Sequence, residues 1–384
     1  MFLDYHMNYL THTSVRNIGI CRLLEYCSIL LMLSIVGCTP SYQGIEAKFK
    51  QIERLASVLT PIAEDDIANP SLMATSNGLL FVANLHTDRI FSVFDIQTGH
   101  KLSEFGTTGR GPEELLSVST LSVNQNRLFV FDAMTHKFAT ITSSGHWNDP
   151  IHMTYNIINV NLGEGSKTRP FRLYALSDSL YVGTGVGYDN SQFHLYNHTG
   201  NFLHSFEPYS LEKPKQKHGA AELALAYQGS MAVNPNSSRY VWASLNGVML
   251  KFFGKDDNGD IVKKNEYIYE YPQYRHVRRG GGESAALLPS ARIGFIFAQS
   301  SDKHFYLLYK GVRIDSENIR RYFISNTILV YSQDGTPVRK FVLDRDISMF
   351  AVSEDDSLLI GYTSDEETGA PQFIAYDISP YRIN

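Results

Sequence analysis

From about residue 70 to the end, the chain alternates short apolar runs with polar turns, and helical periodicity is weak. The runs fall into six sets, at residues 79–105, 121–145, 172–206, 230–261, 294–341 and 347–377. Each set reads strand, polar turn, strand, loop, strand, and most continue through a tight turn into an outer strand. Those tight turns are Thr98-Gly99, Thr199-Gly200, Asn258-Gly259 and Asp334-Gly335; N-G and D-G steps are strong hairpin signals. An antiparallel four-stranded unit repeated about every 40–60 residues predicts an all-β fold, a six-bladed β-propeller. A pair of β-sandwiches also gives short, evenly spaced strands, but the fixed order of strand types favours the propeller. The sixth set lacks a final strand. Residues 45–60 either supply it or form a helix over 45–58, where Ile45, Phe49, Ile52 and Leu55 lie roughly at helical spacing.

The N-terminus follows a different pattern. Arg16 and Arg22 precede an uncharged stretch, residues 26–37 (YCSILLMLSIVG). It is too short to span a bilayer, which takes about 20 residues, but suits the apolar region of an export signal. A start at Met7 would make the basic region more conventional. No later segment approaches the about 18 consecutive apolar residues of a span. Residues 39–44 (TPSYQG) read as a polar tether. The predicted organisation is a signal peptide at 1–37, a tether with closing strand or short helix at 38–60, and the propeller at 61–384.

Composition sharpens this. The chain has 384 residues, 43% hydrophobic and 12% aromatic, with 23 Tyr and 22 Phe, a balance that favours a packed β-fold over disorder. Net charge is −5, and the charges in residues 1–37 cancel, so the mature chain offers no overall attraction to nucleic acid. Of three cysteines, Cys21 and Cys27 lie in the signal and Cys38 follows it. One remaining thiol excludes an intrachain disulfide and a cysteine metal site.

The stretch Ile35-Val36-Gly37-Cys38 resembles the lipobox of bacterial lipoproteins. The resemblance implies thioether lipidation of Cys38, further acylation with fatty acids such as palmitate, and cleavage before it. Multiple acyl chains on one residue give a stable anchor. The phrase Phe105-Gly106-Thr107-Thr108-Gly109-Arg110-Gly111-Pro112-Glu113-Glu114-Leu115 resembles the linker between the first and second blades of TolB-like six-bladed propeller lipoproteins. The family implies the fold and an envelope location but brings no catalytic residue. The residues after Cys38 contain no acidic run, so attachment is expected on the periplasm-facing side of the outer membrane.

Other constellations carry little chemistry. The G-R-G-P step lacks the phosphate-loop pattern and reads as a tight turn whose glycines permit positive φ. His194 and His198, four apart on a strand, stand about 13 Å apart, too far to share an ion. Residues 256–260 (DDNGD) lack the distal Glu of a calcium loop. There is no H-E-x-x-H or G-x-S-x-G. No metal or cofactor is expected.

The long connections, at about 106–117, 147–170, 207–222 and 272–291, are where propellers place function. Two carry cation runs, 213–218 (KPKQKH) and 274–279 (YRHVRR). Candidate ligand-binding residues are therefore Arg110, Lys215, Lys217, His218, Tyr274, Arg275, Arg278 and Arg279, on one face of the ring. Guanidinium groups suit carboxylate or phosphate, so an anionic small molecule, glycan or protein segment is the expected ligand. Three functions stay open: a non-catalytic binding module, a lyase or glycan-active propeller enzyme with an axial polar site, and a structural envelope scaffold.

Overall fold

In a computed structural model, the chain is described over residues 44–382, apart from 125, 145, 161–167, 188–189, 214–217, 235, 237–238, 280–281 and 315–321. Residues 1–43, which include the signal region and Cys38, and Lys215 and Lys217 lie outside the described residues.

Six antiparallel sheets follow one another along the chain. Blade 1 is Pro70–Ser76, Leu79–Asn84, Arg89–Asp95 and Lys101–Thr108. Blade 2 is Thr120–Asn124, Arg127–Asp132, Lys137–Ser143 and Met153–Asn159. Blade 3 is Arg169–Ser177, Leu180–Val186, Ser191–Asn197 and Phe202–Pro208. Blade 4 is Gly229–Asn234, Arg239–Ser244, Val248–Lys255 and Ile261–Glu270. Blade 5 is Arg292–Ser300, His304–Arg313, Ser325–Ser332 and Pro337–Ile347. Blade 6 is Met349–Val352, Leu358–Ser364 and Pro371–Asp377, with Val58–Leu59 as its outer strand.

The apolar runs are continuous because each blade is buried on both faces. In Leu79–Asn84, Leu80 and Val82 pack on Met349, Ala351 and Ile360 of blade 6. The alternate residues, Phe81 and Ala83, pack on Leu128, Val130 and Ile141 of blade 2. Successive strand residues point to opposite sides, so one strand serves two interfaces. The same division recurs between blades 2 and 3, 3 and 4, 4 and 5, and 5 and 6. Every neighbouring pair, including 6 with 1, shares a core, which closes the ring.

Closure comes from the N-terminal side. Val58 and Leu59 pair antiparallel with Ala375 and Ile374. Just before them, Ile52–Leu55 adds a parallel strand outside blade 5, with Ile52 opposite Lys340 and Leu55 opposite Leu343. Instead of one helix over 45–58 there is a short 3-10 turn, Ile45–Lys48, followed by these two strands. Ile45 and Phe49 are spent on the core between blades 4 and 5.

Two expected connections are corrected. Residues 147–170 are not one loop, because Met153–Asn159 is the outer strand of blade 2, alternating in exposure along one wet face. Residues 272–291 contain a separate hairpin, Tyr274–Arg279 paired with Gly282–Leu287. The tight turns need glycine for space as well as dihedral. Gly99 has φ +75°, and a Cβ there would stand 2.3 Å from the Pro61 carbonyl carbon.

Candidate functional site

The glycine phrase between blades 1 and 2 is a turn built around its own glutamate. Glu114 folds back and accepts the Gly111 N–H at 2.6 Å. A Cβ on Gly109 would lie 2.0 Å from Glu114 Oε2, and one on Gly111 2.9 Å from it. Only Gly106 of the three has positive φ, +73°; the other two make room for the carboxylate, which corrects the dihedral reading. Buried Lys137 donates to the carbonyls of Gly111 and Glu114. Asp132 accepts the N–H of Leu116 at 2.7 Å and of Met134 at 2.8 Å. The phrase is thus structural, and Arg110 stands exposed at its tip. Gly109→Ala is expected to cost about 1–2 kcal/mol in unfolding by urea, by displacing Glu114 from a partly buried hydrogen bond. The penalty should fall to a few tenths in a Glu114→Ala background. Equal penalties in both backgrounds would contradict the packing role.

The polar groups of the axial channel are mostly used to stitch inner strands together. Arg172 donates to the Gly229 carbonyl, Gln299 Nε2 to the Met73 carbonyl at 2.9 Å, and Ser230 Oγ to the Ile296 carbonyl at 3.2 Å. Another buried group, His304 Nδ1 at 2.9 Å and Tyr306 Oη at 2.8 Å from the two oxygens of Asp356, joins blade 5 to blade 6.

A distinct arrangement forms over blades 3 and 4. The connection between them contains helix α1, Ala220–Ala226, whose alanines and leucines favour a short helix. Leu223 and Ala226 anchor it in the core between these blades. That orientation leaves Glu222, 4% exposed, facing the hairpin Tyr274–Arg279/Gly282–Leu287. His218 Nδ1 lies 3.2 Å from Glu222 Oε1, and His276 Nδ1 2.9 Å from Oε2. The Gly219 N–H donates to the same carboxylate at 3.4 Å. Tyr274 Oη is 3.2 Å from His218 Nδ1.

Burial pushes the Glu222 carboxyl up, but hydrogen bonds from His276, His218 and Gly219 outweigh it, and its pKa is lowered. Burial and the nearby Glu222 charge push the Tyr274 phenol up to about 12. Both imidazoles are thereby fixed by one carboxylate. The unit acts as a latch between helix and hairpin, and it leaves half-exposed His276 at the surface.

Beyond this latch the cations diverge. Tyr274, His276 and Arg278 alternate with Arg275 and Val277, so Arg275 and Arg278 lie on opposite faces of the hairpin. Both are exposed, and neither has an ion-pair partner among the described residues. Arg279 pairs along the backbone with Gly282. His218 is a latch member rather than a free cation. Sequence reasoning placed Glu222, with Glu207, Glu212 and Glu283, near the cation runs as a candidate counter-charge, but left it and His276 off the candidate site. The structure sets Glu222 against the two imidazoles rather than against Arg275 or Arg278. The His218/Glu222 spacing at a helix start was a visible signal, but His276 is 54 residues from Glu222. Among the described residues, no group of three His, Cys, Asp or Glu side chains is placed to hold a metal.

A family model described as "TolB-like 6-blade propeller-like" matches residues 48–355. No curated protein matches the chain. Among solved structures, a protein from Bacteroides fragilis described as exported is 8% identical, over 85% of this chain and 99% of its own, with a TM-score of 0.46. The PQQ-bound aldose sugar dehydrogenase of Streptomyces coelicolor is 10% identical, over 84% and 97%, with a TM-score of 0.43.

Proposed function

Because the chain belongs to the TolB-like six-bladed propeller family, we propose that it is a lipid-anchored envelope protein that binds an anionic ligand or partner segment without transforming it. The anchor is Cys38, after removal of residues 1–37, on the periplasm-facing side of the outer membrane. The observation that supports the binding reading is the extra hairpin. It stands outside the six blade sheets, is latched down through Glu222, and carries Arg275 and Arg278 exposed and without a described counter-ion. A rigid element bearing free guanidinium groups suits carboxylate or phosphate. Exposed charge pairs of this kind are screened within about 8–10 Å at physiological salt, so binding should weaken as salt rises.

The test is affinity capture from native membranes, with mass spectrometry of captured proteins and small molecules. Reversing both charges, Arg275→Glu with Arg278→Glu, is expected to reduce capture of an anionic partner about tenfold. Retention of every anionic partner by this variant would sink the binding reading. Separately, Cys38→Ala is expected to abolish incorporation of a palmitate analogue and to release the protein from membranes. A variant that still carries the label would sink the anchor reading.

A further inference from the structure

The N-terminal segment that completes blades 5 and 6 has an unusual outer surface. Ile52 is 52% exposed, Val58 69% and Leu59 61%. Buried Leu55 shows where the inner face of this strand packs. By alternation, Ile52 and Arg54 point outward together, and Lys50 stands exposed at the bend just before the strand. Lys48, Lys50 and Arg54 are all exposed and have no ion pair among the described residues, whereas nearby Lys340 is engaged by Glu46 at 3.3 Å. Half-buried Glu53 is the one acidic side chain within the strand itself. Three cations thus flank three bare aliphatic side chains at the sheet margin.

We infer that this margin is a membrane-contact surface: Ile52, Val58 and Leu59 enter the interface of an anionic phospholipid leaflet, while Lys48, Lys50 and Arg54 engage its phosphates. The inference rests on the anchor reading above, because chain length then sets the geometry. Cys38 precedes Ile45 by seven residues, a reach of at most about 25 Å even when fully extended. A short tether of this kind holds the propeller against the bilayer, and the first surface beyond the tether carries the aliphatic and basic side chains. Basic residues near an anionic surface each contribute about a factor of five in affinity, and aliphatic groups in the interface add to this. One consequence is orientation: contact along the margin of blades 5 and 6 fixes which side of the ring faces away from the membrane.

The test uses the full-length chain as isolated from cells, in vesicles of phosphatidylethanolamine and phosphatidylglycerol. A photoreactive benzoylphenylalanine replaces Ile52 or Leu59, or, as a distant exposed control, Met134, which is 63% exposed. Irradiation is expected to give phospholipid adducts at positions 52 and 59 and none at 134. Combining Lys48→Glu, Lys50→Glu and Arg54→Glu is expected to lower adduct yield at least tenfold. Absence of lipid adducts at 52 and 59, or crosslinks there to a second copy of the chain, would overturn the inference. The mass of the N-terminal peptide reports the anchor independently. An acylated chain without adducts leaves the anchor standing and removes the surface. An unacylated chain in the same vesicles that still forms adducts removes the anchor and keeps the surface.

Discussion

Lys251→Ala is expected to cost about 3 kcal/mol of stability in urea unfolding, among the largest effects of any single charged-residue change in the ring. Lys251 is fully buried on the third strand of blade 4. Its Nζ lies 3.1 Å from Glu207 Oε1, 3.2 Å from the Pro208 carbonyl and 3.7 Å from Glu266 Oε1. Lys263 Nζ closes the square, 2.8 Å from each glutamate. Two lysines and two glutamates therefore tie the outer edge of blade 3 to blade 4. Burial lowers the Lys251 pKa, with the two glutamates acting against the shift. Glu207 holds a left-handed backbone, φ 55°, a conformation uncommon outside glycine that its partners stabilise. Removing Lys251 leaves both carboxylates with Lys263 alone, which places the cost at the lower end of the range for a broken buried pair. The double variant Lys251→Met with Glu207→Gln should lose less than the sum of the two single losses. Strict additivity would show that the four charges do not act as a unit.

Glu222→Ala is expected to release the hairpin while the blades stay folded. Two imidazoles and one backbone N–H lose their acceptor, a loss of about 2 kcal/mol. Amide hydrogen exchange in residues 274–279 should then accelerate about 30-fold, with the inner strands unchanged. Acid should mimic the substitution. The Glu222 pKa is lowered in the folded state. Its contribution is therefore complete above the ordinary carboxyl value of about 4.3 and is lost as pH falls through the folded value. Wild-type hairpin protection should collapse in that acid window, whereas the Glu222→Ala hairpin should be indifferent to it. A hairpin whose exchange ignores both changes is held by the packing of Tyr274 and Ala285 instead.

Much of the propeller was legible because its repeating unit is written in turns. Gly99, Gly200, Gly259 and Gly335 all adopt positive φ between third and fourth strands, where T-G, N-G and D-G steps marked hairpins. Strands with two buried faces were equally plain, since Leu128–Phe131 or Tyr240–Ala243 have no polar side. Elements with one wet face were harder. Met153–Asn159 interleaves Thr154, Asn156 and Asn159 with apolar residues and reads as a loop. Tyr274–Arg279 is so basic that it resembles solvated coil until Gly282–Leu287 pairs with it. The latch was illegible for a different reason. A side-chain contact between α1 and a hairpin in the next connection depends on how two insertions dock, and local pattern carries no information on that. The F-G-x-x-G-x-G-P-x-E phrase marked the family, but its meaning emerged only when Glu114 was seen filling the space of two absent side chains.

The way the ring closes also dictates an order of events. Val58 is made before any blade exists, yet its partner Ala375 lies 317 positions later. Blades 1 to 5 pair their four core strands from neighbouring sequence and can form as the chain becomes available. Blade 6 takes its outer strand from the opposite end of the polypeptide. Contacts of such long sequence separation are slow to form, because the loop they close must be ordered first. Docking of Val58–Leu59 on Pro371–Asp377 is therefore expected late in folding, and until it occurs the outer edge of blade 6 stays open to strand addition by another chain. A chain halted before its last dozen residues retains the N-terminal half of the clasp and nothing to fasten it to.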